Sequence, residues 1–167
     1  KNDTVYFDIS GWGENHRLRN NPTINISGSI SFGIATYDLM NDIPNKNGVY
    51  SNKVYVDNNK VFDIKMDRLS FKTGRYINSL IDYSYYKKSK TRLIRTQVDT
   101  NNMFKNYVNV INNGIITIDD TLSHNIRFEI RDAYDNLASL EFDVIGNKSR
   151  KEIKNSDDYY FLFVDGE

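Results

Sequence analysis

The residues that could perform acid–base or metal chemistry are few and scattered. The chain contains two histidines, His16 and His124, and no cysteine. A hydrolytic zinc site needs about three nitrogen or carboxylate ligands and an open coordination position. The patterns H-x-H, H-E-x-x-H and H-x-x-x-D do not occur, so the histidines do not indicate a metal site. We expect His124 to pack at an edge or to hydrogen-bond in a turn, and His16 to lie exposed in a polar loop.

The remaining polar motifs also favour structural roles. No G-x-S-x-G elbow and no glycine-rich phosphate loop is present. Adjacent carboxylates occur at residues 119–120 and 157–158, but neighbouring side chains on a strand point to opposite faces, so surface roles are favoured over acid–base pairing. Residues 132–136, DAYDN, offer oxygen atoms of the kind that calcium prefers. They lack the further carboxylates of a full calcium site, so a β-turn is favoured and calcium binding stays open.

Aromatic side chains give two candidate binding surfaces. Trp12 is the single tryptophan and lies in a polar stretch. The second candidate is a tyrosine–lysine cluster that comprises Tyr83, Tyr85, Tyr86, Lys87 and Lys88. Either could form a platform for a sugar or a peptide. The alternative is that these rings belong to a core, because aromatic residues commonly fill the interior of β-sandwiches.

The elements that position these residues are predicted to be strands. Tyrosine (12) and phenylalanine (9) are abundant, and aromatic residues favour strands. Residues 53–56 and 61–66 flank the turn 57–60, which predicts a hairpin. Alternating apolar residues at 126–130 and 140–144 predict a strand–turn–strand. Strand runs every ten or so residues indicate an all-β fold, specifically an immunoglobulin-like antiparallel β-sandwich with one short inserted helix.

The domain boundaries follow from changes in pattern. The apolar spacing changes to a helical period near residue 73, which predicts the inserted helix at about 75–88. Residues 1–146 are predicted to form the sandwich domain. Residues 147–167 comprise a polar linker and an apolar terminal strand at 159–164. That strand either pairs back onto the domain or begins a further one.

Charge and hydropathy exclude several classes of protein. Lysine plus arginine equal aspartate plus glutamate at 22 each, which argues against a nucleic-acid-binding protein because such proteins carry a basic excess. The sequence contains no run of eighteen apolar residues, so it predicts no membrane-spanning helix. The first residues lack the apolar segment of a signal peptide, so we expect any such segment to have been removed or to lie upstream.

An ordered series of segments between residues 30 and 144 resembles a known family. The segments are FGIATYD (32–38), KNGVY (46–50), VYVD (54–57), DRLSF (67–71), RYINS (75–79), IDY (81–83), NNGI (112–115), HNIR (124–127) and DAYDN (132–136). In this order they resemble the non-catalytic β-sandwich region that follows the catalytic domain in secreted, lysostaphin-like (M23-type) zinc metallopeptidases. The resemblance covers about two-thirds of the chain.

The resemblance implies a parent protein that cuts bacterial peptidoglycan outside the cytoplasm. The family's zinc ligands, an H-x-x-x-D pair and an H-x-H histidine, are not present in this sequence. No catalytic residue, metal ligand or cofactor is therefore assigned to this chain, and zinc is expected only in a parent catalytic domain. The implied partners are that catalytic domain and peptidoglycan or another glycan. The alternatives are a free-standing carbohydrate-binding or adhesin-like module and, ranked last, a hydrolase that uses carboxylates alone.

Overall fold

The computed structural model describes residues 4–39, 46–148 and 158–163, and these residues form an all-β fold. The strands are β1 (Thr4–Trp12), β2 (Asn15–Leu18), β3 (Ile24–Ile26), β4 (Gly28–Ala35), β5 (Asp38–Leu39), β6 (Lys46–Asn47), β7 (Ser51–Val56), β8 (Asn59–Lys65), β9 (Leu93–Arg95), β10 (Tyr107–Val110), β11 (Ile116–Ile118), β12 (Ser123–Arg131), β13 (Leu137–Gly146) and β14 (Asp158–Phe163). The helices are a 3-10 helix at Gly74–Ser79, helix α1 at Tyr83–Ser89 and a 3-10 turn at Asn112–Gly114. Within the described part of the chain, no helix has the length and apolar character needed to cross a membrane.

The strands form two sheets that share β1. The first half of β1 pairs with β14, which pairs with β4, and β4 also pairs with β9 and β11. The second half of β1 pairs with β2, and the second sheet continues through β13, β12, β7 and β8 to β10. Strand β3 pairs with β13, and β5 and β6 form a separate two-stranded ribbon. The chain thus changes sheets within a single strand.

The core lies between the two sheets. Alternate side chains of β12 and β13 are buried, as the period-two sequence pattern predicts. Phe32 of β4 meets the rings of Phe128 and Phe142 edge-on, with ring centres 5.9 and 6.1 Å away. These contacts join the two sheets, so the sheets pack face to face over an aromatic centre.

The predicted hairpin at residues 53–66 is confirmed by the antiparallel pairing of β7 with β8. Asp57 and Asn58 occupy the turn with φ of 49° and 64°. A two-residue turn with both φ values positive matches the right-handed twist of the flanking strands, and Asp and Asn tolerate that conformation. The hairpin therefore fixes the position of Asp57, whose carboxylate belongs to the polar cluster described below.

The predicted helix at 75–88 is two short helices separated by an extended residue. The 3-10 helix ends at Ser79, and Ile81 then forms a β-bridge with Ile94. The Asp82 carboxylate accepts a hydrogen bond of 2.8 Å from the Tyr85 backbone N–H, which caps the start of α1. The β-bridge at Ile81 separates the two helices, and Asp82 caps the start of the second. The apolar spacing alone predicted one continuous helix.

Strand β14 lies between β1 and β4 and runs parallel to both. Parallel pairing also joins β13 to β2 and to β3. The sheets are therefore predominantly but not wholly antiparallel, in contrast to the antiparallel arrangement expected from the sequence. Residues 149–157 of the predicted linker and residues 164–167 lie outside the described residues.

Candidate functional site

One face of helix α1 carries two tyrosines and several cations. Tyr83, Tyr86 and Lys87 are spaced three and four residues apart, which places them on the same helix face. Tyr83 is 60% exposed, and its ring centre lies 6.4 Å from that of Tyr86. Two further cations, Lys90 and Arg92, follow the helix. We call Tyr83, Tyr86, Lys87, Lys90 and Arg92 the α1 platform.

Two cations of the α1 platform, Lys90 and Arg92, lie near the ring of Tyr86. The Lys90 ammonium lies 5.9 Å and the Arg92 guanidinium carbon 6.0 Å from the centre of that ring. Both distances are within the range of a cation–π interaction. Lys87 lies in the last turn of α1, where the helix dipole favours positive charge. The platform thus offers flat apolar rings beside positive charges, a combination suited to a polymer that carries sugar rings and carboxylates.

The structure separates the three tyrosines predicted as one cluster. Tyr85 turns inward, packs against the buried pair Ala35 and Leu93, and stacks on Tyr6 with ring centres 5.2 Å apart. Tyr83 lies on the outer face of α1 instead. Tyr85 therefore anchors α1 to the sheet, while Tyr83 and Tyr86 form the accessible part of the predicted surface.

Trp12 lies on a different element from the α1 platform. It is the last residue of β1, pairs with Asn15 across the β1–β2 turn and is 77% exposed. Its exposure is consistent with a contact surface, as the sequence suggested. The single tryptophan and the tyrosines of α1 nevertheless occupy separate places in the fold.

His124 forms a polar cluster with Asp57 and Asp120 that sequence reasoning did not identify. The His124 Nδ1 atom lies 2.7 Å from the Asp57 Oδ2 atom, and Nε2 lies 3.0 Å from the Asp120 Oδ1 atom. The backbone N–H groups of Asn125 and Leu122 also donate to Asp57 and Asp120 respectively. The expectation that His124 hydrogen-bonds in a turn is confirmed. Only the i, i+4 spacing of Asp120 and His124 was visible in the sequence.

The two carboxylates favour the protonated form of His124. The hydrogen bonds to Asp57 and then to Asp120 raise the pKa of His124 above its usual value. The hydrogen bond from His124 lowers the pKa of Asp57 and that of Asp120. Both ring nitrogens are occupied, so the imidazole ties the β7–β8 turn to the loop before β12. Across residues 4–39, 46–148 and 158–163, no group of three or more metal-ligating side chains is placed to hold a metal ion.

The other predicted carboxylate positions take structural roles where the structure describes them. The Asp132 carboxylate accepts hydrogen bonds from the backbone N–H groups of Tyr134 and Asn136 and from the Asn136 amide. These hydrogen bonds hold residues 132–136 in a turn, the interpretation that the sequence favoured. Asp119 is exposed beside Asp120. Asp157 lies outside the described residues.

His16 is half-buried in β2, whereas the sequence predicted an exposed loop residue. Burial lowers the pKa of His16, and a hydrogen bond with the Ser139 backbone opposes the shift. Gly11 pairs with His16 across the hairpin, and a Cβ at Gly11 would lie 2.9 Å from the His16 Cδ2 atom. The glycine therefore leaves the space that the imidazole needs. The loop prediction failed because three of the four residues of β2 are polar, and only the alternation of burial in the structure shows that His16 turns inward on the same side as the buried Leu18.

Comparison of the chain with protein-family models, with curated proteins and with solved structures gives no match. The likeness to lysostaphin-like accessory regions therefore rests on the ordered segments of the sequence. The α1 platform is the candidate binding surface that geometry supports best, because the exposed ring of Tyr83 lies beside the half-buried ring of Tyr86 and its three exposed cations follow.

Proposed function

We propose that this chain is a non-catalytic accessory module of a secreted, lysostaphin-like cell-wall metallopeptidase, and that it binds peptidoglycan through the α1 platform. The observation that carries the proposal is the pairing of the exposed ring of Tyr83 with Tyr86 and its two neighbouring cations. In this proposal the two sheets form an immunoglobulin-like sandwich that holds the platform away from its core.

The chemistry of the platform matches that of the proposed ligand. Tyrosine rings offer flat surfaces on which the apolar faces of sugar rings stack. Lys87, Lys90 and Arg92 attract the carboxylates of peptide stems. Since the formal charge of the whole chain is zero, this attraction is local, and we expect it to weaken when salt screens the exposed charges.

The module's partners follow from the same proposal. The parent protein carries zinc in a separate catalytic domain, and this module positions that domain on the cell wall outside the cytoplasm. No residue of the module takes part in peptide hydrolysis. Its contribution is non-covalent and raises the local concentration of the catalytic domain at its substrate.

Co-sedimentation with purified peptidoglycan sacculi tests the proposal. The double variant Tyr83→Ala/Tyr86→Ala should raise the apparent Kd by about tenfold, since each ring contributes a contact worth about 0.5 to 1.5 kcal/mol. Tyr134→Ala is the matched control, because Tyr134 is 83% exposed on the turn before β13. The control should bind as the wild type does. Unchanged binding by the double variant, or an equal loss in Tyr134→Ala, would contradict the role of the α1 platform.

The alternative is a free-standing carbohydrate-binding or adhesin-like module that uses Trp12, a reading favoured by its 77% exposure. Trp12 is the single tryptophan, so a change in fluorescence on adding soluble glycans would report on this position alone. A fluorescence shift in the wild type, loss of glycan binding by Trp12→Phe in calorimetric titration, and wild-type binding by Tyr83→Ala/Tyr86→Ala would together support the alternative. No shift would exclude Trp12 as the contact residue.

A further inference from the structure

A small cleft opens where the end of β4 meets the second sheet. Its free space is about 50 Å³, and it is lined by His16, Thr36, Tyr37, Val49, Ile130, Ala138, Ser139 and Leu140. A water-sized group needs about 10 to 15 Å³ of such space, so the cleft has room for about four of them. It therefore accommodates one small chemical group of a larger ligand.

The lining of the cleft divides into two kinds of wall. One wall is apolar and consists of Val49, Ile130, Ala138 and Leu140. The other wall is formed by the polar residues His16, Thr36, Tyr37 and Ser139. Among the residues that the structure describes, no carboxylate, lysine or arginine lines the cleft. The group that fits is therefore uncharged, with an apolar end and a polar end.

One residue of the polar wall, Thr36, has hydrogen-bonding capacity that the described residues do not use. The Thr36 Oγ1 atom is buried and has no hydrogen-bond partner among them. A buried hydroxyl without a partner is costly, and native proteins rarely keep one. Burial lowers the pKa of His16 and so favours the neutral imidazole, which has one donor and one acceptor nitrogen. A ligand could thus receive one hydrogen bond from Thr36 and donate another to His16.

We propose that this cleft binds the acetamido group of an N-acetylated amino sugar. The group has four non-hydrogen atoms, which matches the space available. Its methyl packs against Ile130 and Leu140, its carbonyl accepts from Thr36, and its N–H donates to His16. The sugar ring stays outside the cleft in contact with solvent.

The location of the cleft connects it to the α1 platform. Ala35, which packs against Tyr85 of α1, directly precedes Thr36. The end of β4 therefore carries a cleft residue next to an anchor of the platform. This inference deepens the proposed function and rests on it for the choice of a sugar as the ligand, while the shape and polarity of the cleft are independent of α1.

Two neutral, β-1,4-linked trisaccharides test the proposal by calorimetric titration. The N-acetylglucosamine trimer carries the acetamido group, and the glucose trimer carries a hydroxyl in its place. We expect the wild-type chain to bind the acetylated trimer more tightly and to shift the NMR signals of the His16 ring. Equal affinity for the two trimers, or no binding of either, would overturn the proposal.

The variant Thr36→Val separates binding from folding, because it should change the two in opposite directions. It removes one hydrogen bond to the ligand and should weaken binding of the acetylated trimer by about three- to tenfold. It also removes a buried hydroxyl without a partner, so Tm should rise by about 2 to 6 °C. Thr23→Val, at an exposed position, is the control and should change neither. A Thr36→Val chain that binds the trimer as the wild type does would refute the proposal.

The outcomes also distinguish this proposal from the function proposed for the α1 platform. Loss of sacculus binding in Tyr83→Ala/Tyr86→Ala with no preference for acetylated sugar would retain the platform and reject the cleft. A preference for the acetylated trimer that Thr36→Val removes would retain the cleft, whatever the tyrosine variant does.

Discussion

The two histidines occupy opposite kinds of polar environment. His124 is held by Asp57 and Asp120, which occupy both of its ring nitrogens. His16 lines a cleft beside Thr36, whose buried hydroxyl has no partner among the described residues. A polar group whose partners all come from the chain stabilises the fold, whereas an unsatisfied one costs stability and is free to meet a ligand. The comparison separates a structural cluster from a candidate site.

The largest effect is expected from closing the space behind His16. In Gly11→Ala, the new methyl would lie 2.5 Å from the Asn15 carbonyl oxygen and 2.6 Å from the His16 Cα atom. The backbone must shift, which we expect to cost about 1 to 3 kcal/mol of unfolding free energy. Gly13→Ala is the control, because nothing lies within 4 Å of a Cβ there and only its positive φ of 66° adds strain. Denaturant unfolding measures the free energy of unfolding of both variants. An equal loss in Gly11→Ala and Gly13→Ala would contradict the crowding at Gly11.

A smaller effect is expected from removing either imidazole. His124→Ala deletes two hydrogen bonds to carboxylates and leaves Asp57 and Asp120 to repel each other. Because both carboxylates are partly exposed, we expect a fall in Tm of only about 3 °C. His16→Ala removes part of a cleft wall and should lower Tm less. Thermal unfolding followed by circular dichroism gives the Tm of both variants. A larger fall in Tm for His16→Ala would contradict the assignment of His124 to the structural cluster and His16 to the candidate site.

The smallest effect is a difference in pH dependence, with opposite signs for the two histidines. The pKa of His124 is raised, so the stability that it contributes is complete below pH 6.5 and is lost as pH rises through its folded-state pKa. The pKa of His16 is lowered, so stability is lost as pH falls below 6.5 towards its folded-state pKa. The variants His124→Gln and His16→Gln should therefore change the slope of Tm against pH in opposite directions.

The carboxylates of the His124 cluster limit its stability at acidic pH. The pKa values of Asp57 and Asp120 are lowered, so their contribution is complete above pH 3.8 and disappears as pH falls through their folded-state values. The cluster is thus most stabilising between about pH 4 and 6.5. Proton NMR titration of the two imidazoles would check the signs directly, and a His124 pKa below that of His16 would contradict them.

Local sequence patterns were sufficient for the elements that pair with their neighbours in the chain. The turn at residues 57–60 predicted the β7–β8 hairpin, and alternation on either side of residues 132–136 predicted β12 and β13. In both cases the partner strand follows within a few residues, so the turn chemistry and the period of the pattern carry the information. The all-β class follows from the same signals.

Contacts between distant segments could not be predicted from local patterns. Asp57 and His124 meet because β7 and β12 pair, and nothing in either segment specifies the other. Likewise, the spacing at residues 75–88 fitted a helix, but the bridge between Ile81 and Ile94 depends on β9. The direction of Tyr85 and the burial of His16 were missed for the same reason. Tertiary neighbours decide these features, and local propensity does not.

The insertion of β14 between β1 and β4 has a consequence for the order of folding. Thr4 pairs with Tyr159, so this contact closes a loop that spans nearly the whole described chain. Closing such a loop is entropically costly, and folds rich in distant pairings form slowly. During synthesis, β1 and β4 leave the ribosome long before the strand that joins them. Until that strand arrives, their facing edges remain open to pairing with other chains, and the newly made protein depends on rapid completion to avoid aggregation.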